Sequence, residues 1–296
     1  MIFLIRTDLA LEAKEMYEGE EADLTEGVDA FEEDCDGIKL TFVEVKNKKG
    51  ENALGKAKGR YVTLQMPEFS RIGNGYYNVC VQTLTKQIKR ITGEKKNPSV
   101  LVAGLGNRKI TPDSLGPLCV ENLIVTHHLK KMNVNGIANL GNISAVIPGV
   151  LGITGIESYD IIKSVASYVK PDVIICIDSL VARDFQRLAN TIQLTDTGIS
   201  PGSGIGNTRA EISKKTTGTT VIAVGVPMVV EAATLVYDAT EGKDESVYSK
   251  IKKKTGDMIV APKETDELVM QMSKIISSAI NLAFHDIPAD ELYLYT

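Results

Sequence analysis

Two aspartates stand where hydrolytic chemistry can be built. Asp113 lies in Thr111-Pro-Asp113-Ser-Leu-Gly-Pro117, shortly after the apolar run Ser99–Leu105, and Asp178 closes the run Val173–Ile177 in Ile174-Ile-Cys-Ile-Asp178-Ser-Leu180. An open parallel sheet places its chemistry beyond the carboxyl ends of its strands. Two acids delivered there from different strands can share a water, one ionised as base and the other protonated as acid. Mutual repulsion and burial would hold that division of roles. The same residues also suit a helix N-cap and a strand-end turn, and spacing alone does not separate the two readings.

Competing chemistries have weaker support. Gly104-Leu-Gly106-Asn107 follows a buried-strand pattern, but a dinucleotide fingerprint needs glycine where Lys109 stands, and no GxxxxGK[ST] occurs. Gly198-Ile-Ser200-Pro-Gly202 matches GxSxG in letters only. The residue after the serine must lend its N–H to the oxyanion, and Pro201 has none. Adjacent helical residues point about 100° apart, so His127 and His128 cannot share a metal; they read as side chains near a helix C-terminus. The glycine-rich stretches around Gly149 and around Gly202 and Gly204 are uncluttered enough for a peptide to lie against their backbone, and they equally suit close packing.

The elements that must position these acids follow from hydropathy. Ser99–Leu105, Val173–Ile177 and Thr219–Val226 read as strands buried on both faces, as in parallel sheets. Helical patterns separate them, and a last helix carries Leu268, Met272, Ile275, Ala279 and Leu282. The expectation is a three-layer α/β fold with a mostly parallel central sheet. Ahead of it, Ile38/Leu40/Phe42 and Val62/Leu64/Met66 alternate with polar residues, predicting β-rich N-terminal additions with one wet face, in antiparallel or edge pairings. Ten carboxylates between Glu18 and Asp36 suggest a solvated helix and loop, and Glu241–Asp257 a mobile surface insertion. The division is residues 9–97, containing β-structure, and residues 98–296, the α/β core of one domain.

The chain has 296 residues, with 33 basic against 38 acidic side chains, a balance of −5 that does not support direct binding of nucleic acid. The four cysteines show no CxxC spacing, and three lie in apolar runs, which fits reduced thiols in a cytoplasmic compartment. No run approaches the length of a membrane span.

Read in order, several short motifs resemble the spore germination protease family. They are Ile5-Arg-Thr-Asp8-Leu-Ala10, Gly59-Arg-Tyr-Val-Thr63, Gly104-Leu-Gly-Asn107, Thr111-Pro-Asp113, Ile147-Pro-Gly149, Thr154-Gly-Ile-Glu157, Ile177-Asp-Ser-Leu-Val-Ala-Arg183, Pro201-Gly-Ser-Gly204 and Met258-Ile-Val-Ala-Pro-Lys263. The resemblance covers essentially the whole chain. It implies a zymogen endopeptidase of the spore core, a homotetramer, that degrades small acid-soluble DNA-coating proteins during germination. It puts the family's two catalytic aspartates on Asp113 and Asp178. The family cuts after an acidic residue and before a hydrophobic then a small one, so the chain is expected to cut itself between Asp8 and Leu9 and shed residues 1–8. Arg183 is then a candidate to meet the acidic residue before the cut, as arginine suits carboxylates. A second likeness is to the hydrogenase maturation endopeptidases, which share the GxGN loop and an acid three residues before a glycine but bind a metal with two acids and a histidine. Val224-Gly-Val-Pro-Met228 offers no such histidine. No cofactor is therefore expected, and a divalent ion held by two carboxylates and water stays an alternative.

Overall fold

The Val/Ile-rich runs do form strands, and most extend beyond the runs. A computed structural model describes residues 6–18, 27–67, 74–93, 95–201, 210–239 and 245–294. In chain order the elements are α1 (Ala10–Glu18), β1 (Val28–Cys35), β2 (Ile38–Val45), α2 (Lys48–Leu54), β3 (Gly59–Gln65), α3 (Asn74–Thr92), β4 (Ser99–Gly104), α4 (Leu115–Glu121) and α5 (His127–Lys131). There follow β5 (Asn142–Val146), α6 (Leu151–Thr154), α7 (Ser158–Val169), β6 (Val173–Ala182), β7 (Thr191–Thr195), α8 (Lys214–Thr217) and β8 (Thr220–Glu231). The last are α9 (Ala232–Ala239), α10 (Glu245–Thr255), β9 (Ile259–Val260) and α11 (Thr265–Phe284).

Among the described residues nine strands make one sheet, in the order β1-β2-β3-β7-β8-β6-β4-β5, with β9 on β8. β5, β4, β6 and β8 are parallel. β7, β3, β2 and β1 extend that core with antiparallel pairings, so the sheet as a whole is mixed. Alternate residues of the parallel strands bury both faces, which makes the three layers. Val100, Val102 and Ile175 pack towards α3, α4 and α11, while Leu101, Ile174 and Cys176 meet Ile162 and Ala166 of α7. Among the described residues no helix is long and apolar enough to cross a membrane.

Four expectations need correcting. The middles of β2 and β3 are buried on both faces, with Thr41 and Thr63 opposed and fully covered, because Ala10, Ala13 and Leu54 of α1 and α2 close the side expected to be wet. Part of the acidic stretch is β1, an edge strand whose exposed Asp29, Glu32 and Glu33 discourage further pairing; residues 19–26 lie outside the described residues. His127 begins a helix rather than ending one. Thr126 is pinned to β5, its hydroxyl donating to Gly141 O and accepting from Ile143 N–H, so the helix starts after it. The supposed insertion contains α10, docked on α9 through an edge-on Tyr237–Tyr248 contact; residues 240–244 lie outside the described residues.

His285, at the end of α11, is buried. Its Nδ1 accepts from Gly141 N–H at 2.9 Å and its Nε2 donates to Ile124 O at 3.0 Å, a pairing that needs the neutral ring. Burial is the main cause of a pKa below the ordinary 6.5, with Lys130 adding to it against the Ile124 bond. The unfolded chain therefore binds this proton first as pH falls. The stability contribution is complete above 6.5 and is lost as pH drops through 6.5 towards the lowered folded value. Denaturant midpoints are expected to fall between pH 7.5 and 5.5, and a His285→Gln chain, less stable at pH 7.5, should show less of that dependence.

Candidate active site

β4 ends at Gly104, paired with Ile177, whereas β6 runs on beside β8 to Ala182. Asp178 is thus not at the end of its own strand, as expected, but is the first residue of β6 to pass the end of β4. The strand continues because its pairing with β8 persists, through an irregularity at Leu180/Val181. The side chain is 8% exposed, and its Oδ1 accepts from Ser179 N–H at 2.9 Å.

Asp113 reaches the same place from the loop after β4, in a single 3-10 turn, Thr111–Asp113. Its Oδ2 accepts from Asn107 N–H at 2.8 Å. Two glycines make this close return possible. Gly106 has φ +105°, and a Cβ there would lie 2.1 Å from Asp113 O. Gly116 sets the first turn of α4 directly on the strand ends, where a Cβ would meet Leu105 O at 2.3 Å and Ile177 O at 2.6 Å. Asp113 and Asp178 line one cavity of about 710 Å³, together with Asn107, Tyr61, Lys56 and Gln193.

The N-terminal segment forms part of that cavity's wall. Asp8 donates its N–H to Val181 O at 2.9 Å, and its carboxylate accepts from Val181 N–H at 2.8 Å. Arg6 pairs with the same carboxylate at 3.4 Å. Leu9 is fully buried against Leu180, Ala182 and Val230. Gln193 spans the segment, its Nε2 donating to Asp8 O at 3.2 Å and its Oε1 accepting from Ala10 N–H at 2.6 Å. Thr7 donates to Glu12, whose carboxylate also accepts from Arg183 N–H at 2.8 Å and Asp184 N–H at 2.9 Å. Burial outweighs those bonds and the Arg187 charge, leaving the Glu12 pKa above its usual 4.5. Lys56 donates to Thr7 O at 2.9 Å; burial lowers its pKa, against the pull of Asp8 and Glu12. Burial pushes the Tyr61 phenol up to about 12, so it stays a donor, here to Ala57 O at 2.7 Å.

The other candidates are placed differently. The Arg183 guanidinium pairs with Asp238 at 3.5 Å and is not part of the cavity wall; its backbone, not its charge, holds the N-terminal region. Gly149 has φ +72° and accepts at its carbonyl from Ser158; its neighbour Val150, not Gly149 itself, lines the cavity. Gly202 and Gly204 lie outside the described residues, although Ser200 and Pro201 just before them line the wall. Burial raises Cys80 to about 11 and holds Cys119 and Cys176 well above the usual thiol range, so none of the three is a thiolate nucleophile. Among the described residues no group of three His, Cys, Asp and Glu side chains is placed to hold a metal ion.

Sequence reasoning missed Gln193 and Lys56. Gln193 left one trace, a long polar side chain between Ile192 and Leu194; Lys56, in a polar loop of similar residues, left none.

The germination protease family model matches residues 7–242. A germination protease of Clostridium tetani is 41% identical over 97% of this chain and 97% of its own length. That of Clostridium acetobutylicum is 42% identical with the same coverage. That of Bacillus subtilis is 43% identical over 81% of this chain and 67% of its own length. Among solved structures, a nickel–iron hydrogenase maturation protease, HycI of Thermococcus kodakarensis, aligns with TM-score 0.39 and 13% identity, covering 67% of this chain and 98% of its own.

Proposed function

Because the chain belongs to the germination protease family, and so is an endopeptidase, we propose that it cleaves peptide bonds with a water activated between Asp113 and Asp178. One carboxylate takes a proton from the water, and the other, protonated, polarises the scissile carbonyl or protonates the leaving amine. The observation that carries this reading is that both aspartates line one cavity with Asp8, the residue on the acyl side of the expected self-cut. Thr7-Asp8-Leu9-Ala10 has the acidic, apolar, small order of a cleavage sequence. Leu9 is fully buried, so its side chain must give way before water reaches the Asp8–Leu9 bond. That requirement is how the chain stays a zymogen.

The substrates in this reading are small acid-soluble proteins coating DNA in the spore core, cut by a homotetramer. The balance of −5 makes contact with DNA indirect, through the substrate. No metal takes part.

Intact mass tests the reading. Incubated from neutral to mildly acidic pH, the wild-type chain is expected to lose residues 1–8, and EDTA to leave the rate unchanged. Inhibition by EDTA reversed by zinc or nickel would turn the mechanism to a metal. Failure to cut, both of itself and of a separate Glu-Leu-Ala peptide, would remove the protease assignment of this pair.

A further inference from the structure

Resting on that reading of the Asp8–Leu9 bond, we propose that Gln193 is a catalytic residue of the self-cut, its side-chain amide stabilising the negative charge that develops on the carbonyl oxygen of Asp8.

The sheet register carries the first part of the argument. Asp178 of β6 is paired with Gly225 of β8, and Gly225 in turn with Gln193 of β7. Register partners on adjacent strands face the same side, about 4.8 Å apart. Asp178 and Gln193 thus stand in one row on one face, two strands apart. Gly225 between them contributes no side chain, and Leu180, which packs on Leu9, lies over it.

The bonding carries the second part. Gln193 is 6% exposed and both ends of its amide are used, the donor on Asp8 O and the acceptor on Ala10 N–H. Bonding C=O of one residue and N–H of the residue two further on is how a neighbouring parallel strand grips a chain. A single side chain reproduces that grip around Leu9, so it fixes the peptide backbone whatever the side chains are. The oxygen it grips is the one that matters chemically. In hydrolysis the water oxygen bonds to the Asp8 carbonyl carbon and the carbonyl electrons move onto that oxygen. The C–N bond then breaks, the Leu9 amine takes a proton and Asp8 keeps a new carboxyl. A donor already aimed at the oxygen strengthens as charge accumulates there, and one such donor contributes about 100-fold or more. Gln193 loses no proton in the process, so it does not compete with the two acids.

The test compares self-cutting of the full chain by intact mass for wild type, Gln193→Ala and Gln193→Glu, with melting curves for each. Glutamate keeps the acceptor for Ala10 but, when ionised, has no donor. Expected are a cutting wild type and both variants slowed about 100-fold. The Gln193→Glu deficit should shrink on acidification, as its protonated carboxyl regains an O–H donor. A purely structural role would make the melting temperature recover in step with cutting, so recovery of cutting at an unchanged melting temperature decides the matter even if Gln193→Ala does not fold. Folded variants that cut within threefold of wild type, or a Gln193→Glu deficit constant with pH, would overturn the role of Gln193 and leave the acid pair standing. A wild type that does not cut would overturn the self-processing reading and this proposal together.

Discussion

Asp178→Asn is expected to slow peptide hydrolysis about a thousand-fold with no measurable change in melting temperature, and Asp113→Asn to do the same. The size follows from what is removed. A positioned general acid or base contributes roughly 10²–10⁴ in rate, and three decades correspond to about 4 kcal/mol of barrier. Stability should hold because the backbone bond described for each carboxylate asks only for an acceptor oxygen. Ser179 N–H donates to Asp178, and Asn107 N–H to Asp113; an asparagine of nearly the same shape can accept both. The two acids act on one water, so the double variant should be little slower than either single one. Retention of a tenth or more of wild-type activity in a folded single variant would remove that residue from the chemistry, and full multiplication of the two losses would mean that they act in separate steps.

Gly116→Ala is expected to cost about 3 kcal/mol, at the upper end of what overpacking usually costs, and to lower the melting temperature by roughly 5 °C for a chain of this size. In a helix, exchanging glycine for alanine ordinarily stabilises by up to about 1 kcal/mol, so even the sign is informative. The added Cβ would fall 2.3 Å from Leu105 O, 2.5 Å from Leu105 N and 2.6 Å from Ile177 O. All three are backbone atoms at the ends of β4 and β6. Relieving the clash means lifting α4 from the sheet, and the turn bearing Asp113 moves with it, so activity should fall further than stability. Gly55→Ala is the control. Gly55 is left-handed at φ +62°, but nothing lies within 4 Å of its missing Cβ, and its loss should be near 1 kcal/mol. Equal losses at the two positions would show that close approach is not what Gly116 provides.

The acids were legible because strand ends leave a hydropathy signal. The run from Val173 to Ile177 stops being apolar at Asp178, and that alone marks a place where a side chain leaves the core. What hydropathy could not tell is that β6 goes on through Ser179 and Val181, since only the partner strand β8 defines its true end. β7 was missed for a related reason. Thr191-Ile-Gln-Leu-Thr195 is too polar to read as a central strand, yet every residue of it is buried, because its polar side chains are engaged inside the fold. Gln193 matters through a row across three strands, and residues so far apart in the chain have no spacing to read. Arg183 was an expectation from charge alone, and a nearby carboxylate, Asp238, takes that charge on the surface.

The pairing of β3 with β7 joins Tyr61–Gln65 to Thr191–Thr195, across a stretch of chain that contains both aspartates and most of the parallel core. Contacts so distant in sequence form slowly, because a long loop must close before they return any energy. Nor is the row from Asp178 to Gln193 complete until β8, later still, has been inserted between its two flanking strands. A ribosome-bound chain therefore holds both acids well before it holds a working pocket. During synthesis, the order in which the strands can meet leaves the pocket unassembled until β8 has emerged.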